Sequence, residues 1–551
     1  MIKKRNQKSF RIFVISSITL IIGLFVFALG ITFADGTDKF YRREVTLDTE
    51  SGMTVQQRTV DFSQLCAYLE AYVPTLYKYE ELYGISYEET KAYYGKLVSN
   101  TENDFEYCAA VKGFLNNIPS AHMASGFPSM SGIDEDFAPR LAKNKSFVNA
   151  QDYWFGVLHD ECRKHYDKEI NQMIFAYYSG EYRGVAKPVD NDVYGVNKAT
   201  LLTVNGVSAD EFVKLTPSVS KLKYDHANQK PMRDTIIFND SFGEECTVEY
   251  LDQQGEKHSA KMYYGAEADL AITYTNYFKQ LDGLAFGNTS ADNTPAEKAD
   301  YTTVGDMTVI RSEERDILFV RIDSFASQNS NGEVMASVIK SSSEGIDNII
   351  IDIRGNRGGY YEWANSVLGA LSQKDIEIVS EVYITQASYD RCENKGAYTF
   401  DETAGLYKTC ITETVKGTAD ESKNIYLLVS DTTGSAADNL AYEFKKNALG
   451  TVIGVNNTAG ERDGTICLSY PDISGIYFTY TEYAAADSDG NYSLVYGTAP
   501  DIYVCQTVED YFIREEIKAE GKDPNNLENR LKYDSVLIRT LELINEKENT
   551  E

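Results

Sequence analysis

The sequence predicts an α/β protein, and three stretches carry that expectation. From about residue 300 strand-like and helix-like runs alternate: "ILFVRI", "NGEVMASVIKSSSEG", "NIIIDI", "YEWANSVLGALSQ", "IYLLVS", "AADNLAYEFKKNALG" and "TVIGV". Such alternation predicts a mostly parallel sheet with helices packed on it. Between residues 172 and 266 short β-branched and aromatic runs alternate with turns, which predicts a β-rich unit. Within residues 60–117 apolar residues recur near a helical period, which predicts a helical region.

With 551 residues the chain exceeds one ordinary core. The boundaries read as an N-terminal segment 1–34, a helical region 37–150, a β-rich unit 172–266, an α/β core 300–520 and a tail 521–551 that is polar and partly helical. Residues 266–305, with "GNTSADNTPAEKADYTT", read as a polar linker. In the β-rich unit the strand "LLTV" meets an Asn205-Gly206 turn, and Ser208 opens a short helix "ADEFVKL". Strand, turn, helix and a closing hairpin resemble a PDZ domain; a generic β-rich insertion is the alternative.

Lys3, Lys4, Arg5, Lys8 and Arg11 precede an apolar run of 22 residues, Ile12–Phe33. A basic flank before such a run is an export signal, and the chain beyond Asp35 is expected outside the cytoplasmic membrane. The run is long enough to stay as an anchor, while Thr32 and Ala34 also fit a cleavage site. The expected location is therefore extracytoplasmic, membrane-anchored or secreted. A formal net charge of -30 argues against nucleic acid as a partner. Eight cysteines show no C-x-x-C pair, so no zinc or redox motif arises. Cys392 and Cys410 flank one polar insertion and make the first candidate for a disulfide; free cysteines are the alternative. No metal or cofactor is implied.

Two strand-to-loop junctions carry the chemistry. In "IIIDIRGNRGG" a buried strand runs into Arg354-Gly355-Asn356-Arg357-Gly358-Gly359, where three glycines can leave backbone N–H groups facing an anion or a developing oxyanion. A plain glycine turn would read the same way, and no G-K-[ST] follows to suggest a P-loop. In "LLVSDTTGSAADNLAYEF" Ser435 sits where a strand ends and a helix starts. A serine there can cap the helix or stand exposed as a nucleophile.

Taken together, "DIRGNRGG" followed by "TGSAAD" resembles the C-terminal processing (tail-specific) protease family, and "VYGTAPDIYV" is similar to that family's closing segment. The resemblance implies a crotonase-like protease core of the ClpP type, with the PDZ-like insert where the family places one. It makes Ser435 the nucleophile and puts the N–H of Ala436, with that of Gly358 or Gly359, in an oxyanion hole. The implied substrate is an unfolded or C-terminal polypeptide segment.

One departure is decisive. Most members pair the serine with a lysine, but here that stretch reads "VIGVNNTAGERDG", and no lysine lies between Lys446 and Lys518. Arg462 cannot serve, because arginine stays protonated. A minority branch, the tricorn-type and chlamydial secreted proteases, uses an upstream histidine. His122 in "FLNNIPSAHMA" stands in the matching place, and a neutral imidazole accepts a serine proton. Of the other histidines, His165 and His258 lie in polar surroundings and read as solvated. The branch's third member would fall at Leu494, which is apolar, so Glu461, Glu482 and Asp463 are the candidates. The decayed lysine site leaves two other readings open: a catalytically inactive peptide-binding protein, and a carrier of small apolar ligands.

Overall fold

In the computed structural model, residues 43–548 are described apart from 121, 126–137, 186–195, 219, 283–297, 327–330, 463, 465 and 488. The basic flank and the Ile12–Phe33 run lie outside the described residues. Among the described residues no helix is long and apolar enough to cross a membrane.

The centre is a seven-stranded sheet. In spatial order its strands are Thr302–Val304, Met307–Ser312, Ile317–Ile322, Asn348–Asp352, Asn424–Val429, Thr451–Gly454 and Ile502–Tyr503. The first two pairings are antiparallel and the remaining four are parallel. The strand "NIIID" is buried at every position because both sheet faces are covered. Ile349 and Ile351 point to the face carrying the helices Gly332–Ser342, Tyr361–Ala370 and Ala436–Lys446. Ile350, between them, points to the other face, where Val536, Leu537 and Ile544 of the helix Ser535–Glu548 pack. The C-terminal segment, polar in sequence, thus supplies an apolar stripe to the back of the sheet.

The expectation of a mostly parallel sheet needs correction over the whole chain. The other sheets among the described residues are antiparallel throughout, because hairpins rather than crossovers build them. One is a ribbon of Ile376–Ile384 and Leu406–Val415 that stands over the loop ends of the central sheet. Another, between residues 172 and 264, closes on itself through a pairing of Arg183 with Thr200.

The helices Val55–Tyr72, Tyr87–Ser99, Asp104–Asn116 and Lys145–Arg163 form with expected caps: Thr54 and Ser86 each close a capping box, and Asn103 and Asn144 accept from the third helical N–H. Their core is continuous with Tyr470, Tyr477, Phe478 and Tyr480 of the later chain. Two local expectations are overturned. The start of the supposed linker is a helix, Ala266–Leu281, because Leu270, Ala271 and Phe278 fall on one buried face. All eight cysteines are free: Cys392 is half-buried and Cys410 exposed, and no bond joins them.

The DIRG motif also anchors this architecture. The Arg354 guanidinium lies 2.7 Å from both Asp352 and Asp534, joining the central sheet to the C-terminal helix. Burial would raise both carboxyls, but the charge and hydrogen bonds of Arg354 outweigh it; Asp352 is held down at about 2 and Asp534 below its ordinary value. Arg354→Ala leaves two buried carboxylates without this partner and is expected to cost about 3–5 kcal/mol. A denaturant midpoint measured on the purified variant checks this.

Candidate active site

The loop that carries Ser435 is held from both sides. Thr433 Oγ1 donates to Ile353 O at 2.9 Å, and the Gly434 N–H donates to Asn356 O at 3.1 Å. On the other side the Ser435 N–H donates to Gly460 O at 2.9 Å. These bonds force Ser435 to φ 54° and ψ -124°, a conformation costly for any residue with a Cβ. The helix Ala436–Lys446 follows at once, yet the Ser435 hydroxyl does not cap it. The capping alternative is therefore not what this serine does. Such a turn between strand and helix lifts a hydroxyl clear of the fold.

The glycine loop lies against it. The buried Asn356 accepts the Gly358 N–H at 2.8 Å and donates to Ile322 O at 3.2 Å. A Cβ on Gly358, whose φ is +101°, would fall 2.6 Å from the Ser435 Cβ and 2.9 Å from the Ala436 N. Only glycine permits that approach. Because the Gly358 N–H is already donated, it is not a free oxyanion donor. The Gly359 and Ala436 N–H groups are the pair left at the mouth of the cavity beside Ser435.

The histidine loop arrives from the helical region, 313 positions away in the sequence. His122 is buried, and its Nδ1 lies 2.7 Å from Glu461 Oε2. The approach is bent, so no well-directed hydrogen bond forms at Nδ1. The same carboxylate accepts the His122 backbone N–H and the Ser120 hydroxyl. Thr479 Oγ1 donates to His122 O at 2.6 Å, and Lys221 Nζ donates to Met123 O at 2.8 Å. Burial would raise the Glu461 carboxyl, but the adjacent His122 ring, the Lys221 charge and the Ser120 hydroxyl hold it below its ordinary value. Burial lowers Lys221 to about 8.

Of the three acids named from sequence, Glu461 reaches His122. Glu482 instead pairs with Arg391 and accepts from Tyr480 Oη at 2.9 Å. Asp463 lies outside the described residues. Ser435 Oγ makes no hydrogen bond with a described residue, so the expected His122–Ser435 bond is not formed. The two groups still border one space: Gly464 lines the cavity that holds Ser435, and a Cβ there would sit 3.3 Å from His122 Cε1. Catalytic hydrogen bonds are commonly long until substrate closes a site.

Sequence reasoning missed several supports. Lys223 bridges Asp431 of the Ser435 loop at 2.7 Å and Asp234 at 2.9 Å. It had no motif to announce it, whereas Asn356 stood inside "RGNRGG". His165 is buried and stacks on Phe242 at 4.2 Å rather than being solvated, because the packing of the β-rich unit closes over it.

A strained serine at the junction of a parallel strand and a helix, backed by a glycine loop, defines the site of a mixed α/β hydrolytic fold. Residues 316–504 match the model of peptidase family S41, about a third of the chain, so this segment is similar to that family. Among solved structures, mature CPAF complexed with lactacystin aligns with 90% of this chain and 99% of its own at 15% identity, with a TM-score of 0.51. The photosystem II D1 C-terminal processing protease covers 81% and 92% at 14% identity, with a TM-score of 0.31. At such identities the first likeness speaks for the fold alone, and the second is too distant to carry an argument. No curated protein matches in sequence.

Proposed function

We propose that this chain is an extracytoplasmic serine endopeptidase that cleaves unfolded or C-terminal polypeptide segments by acyl transfer. The observation that carries this reading is the state of Ser435: strained, uncapped and packed on a glycine loop with two backbone N–H groups at its side. In the proposed reaction His122 takes the Ser435 proton as the hydroxyl attacks the peptide carbonyl. The Gly359 and Ala436 N–H groups hold the oxyanion, and His122 then protonates the leaving amine. Glu461 keeps the ring oriented, with Nδ1 turned to the carboxylate and Nε2 left for the serine. The crotonase-like ClpP-type core and the PDZ-like character of residues 172–266 belong to the same proposal.

A catalytically inactive peptide-binding protein on the same fold is the second reading, and the missing His122–Ser435 bond speaks for it. A fluorophosphonate probe separates the two, because only an activated serine reacts. Covalent labelling of the wild-type chain that disappears in Ser435→Ala is the expected result. An unlabelled wild type would favour the binding protein.

The proposed location rests on the basic flank before Ile12–Phe33. Protease added to intact cells is expected to remove the domain. Protection until lysis would count against an outside location.

A further inference from the structure

The cavity beside Ser435 has a volume of about 240 Å³, and its far wall is one face of the ribbon Ile376–Ile384/Leu406–Val415. The register pairs Ile378 with Glu413 and Ser380 with Ile411, so these four side chains share that face. Ile378 is buried, Ile411 is 51% exposed, and together they make an apolar channel. A carboxylate stands on the wall of that channel. Asn365 Nδ2, on the adjoining helix, donates to Glu413 Oε1 at 3.3 Å. The other end of the same amide, Asn365 Oδ1, is buried without a hydrogen-bond partner, in a residue only 6% exposed. A buried carbonyl oxygen left unpaired costs free energy that a donor would recover.

We infer that this cavity receives a lysine or arginine side chain of the polypeptide, with Ile378 and Ile411 against its methylenes and Glu413, itself held by Asn365 Nδ2, at its charged end. The inference rests on the peptidase reading for placing that side chain next to the scissile bond, and adds the substrate class. Lysine and arginine combine an apolar stem with a cationic head, the pattern this wall presents. Each also carries more than one donor, so it can engage both oxygens of a carboxylate. A glutamate side chain would face Glu413 with like charge, and a leucine would bring no charge to it. The net charge of -30 adds a long-range bias towards cationic segments.

The test uses Ser435→Ala protein, full chain, and fluorescently labelled peptides differing at one central position: lysine, arginine, norleucine or glutamate. Binding is read by anisotropy and does not depend on turnover. Lysine and arginine peptides are expected to bind about five- to tenfold more tightly than norleucine, with glutamate weakest. Added salt should shrink the difference. Glu413→Gln in the same background should erase the preference, and Glu413→Lys should invert it. The inference is overturned if norleucine binds as tightly as lysine, if no peptide binds, or if the preference survives Glu413→Gln. The comparison of lysine with norleucine needs no Glu413 variant, so a variant that fails to fold does not spoil it. Hydrolysis by the wild-type chain is measured separately. Glu413-dependent binding without any cleavage would sink the peptidase reading and leave the basic-side-chain pocket standing. Cleavage indifferent to charge would do the reverse.

Discussion

Ser435→Ala is expected to lower peptide hydrolysis by about 10³-fold or more, to the level left by binding and the oxyanion donors alone. The fold should survive. The hydroxyl caps no helix, and it makes no hydrogen bond to a described residue whose loss would loosen the core. A second variant sharpens the point. Ser435→Gly removes the Cβ from a residue at φ 54° and should raise stability by about 1 kcal/mol while also abolishing activity. A gain in stability coupled to a loss of function is what a strained nucleophile produces. Steady-state kinetics and thermal melts on both variants decide it. Retained hydrolysis in purified Ser435→Ala would end the assignment, and a large fall in melting temperature would point to a structural serine.

Glu461→Gln is expected to cut kcat by about 10²–10⁴-fold with a much smaller change in KM, since the carboxylate acts through His122 and not on substrate. Glutamine keeps one acceptor oxygen for the His122 backbone N–H, and its amide NH2 can donate to the Ser120 hydroxyl oxygen in place of the bond it loses, so the loop should hold its place. What it cannot do is stabilise the imidazolium that forms during attack. Glu482→Gln serves as the contrast: this acid is paired with Arg391 and should leave kcat near wild type. Equal losses in the two variants would remove Glu461 from its proposed role.

The same carboxylate predicts an acid limb in stability. Its folded pKa lies below the unfolded value of 4.5, so the folded state binds its proton less readily than the unfolded chain. The contribution is present above about 4.5 and is lost as pH falls through the lower folded pKa. Asp352 and Asp534, also depressed from 3.8, act in the same direction, their contributions present above that value and lost as pH falls through their lower folded pKa. Unfolding followed from pH 7 to pH 2 should show stability falling across that range, and Glu461→Gln should flatten its upper part.

Much of the fold was legible along the chain because its signals are local. The alternation of "NIIIDI", "IYLLVS" and the helices between them announces stacked strands and helices, and the buried core follows it residue by residue. "RGNRGG" and "TGS" name the glycine loop and Ser435 because tight turns restrict which residues fit. The helix Ala266–Leu281 was masked by the polar stretch after it. The antiparallel ribbon of residues 376–415 gave no catalytic motif, since a pocket wall needs only side chains of suitable size on one strand face.

By itself the sequence determined the mixed α/β class of fold and named the serine, the glycine loop and His122 as candidates, because each is written in short stretches whose backbone needs are satisfied nearby. Tertiary structure alone decided the rest. It chose Glu461 over Glu482, assigned the Gly358 N–H to Asn356, brought Lys221 and Lys223 to the loops of His122 and Ser435, and set Glu413 on the cavity that Ser435 lines. Most of these choices join residues that are hundreds of positions or whole elements apart in the chain. The remaining one, Gly358 with Asn356, is local in sequence but turns on which way a single buried amide faces. Both depend on how packed elements face each other, which spacing along one chain does not encode.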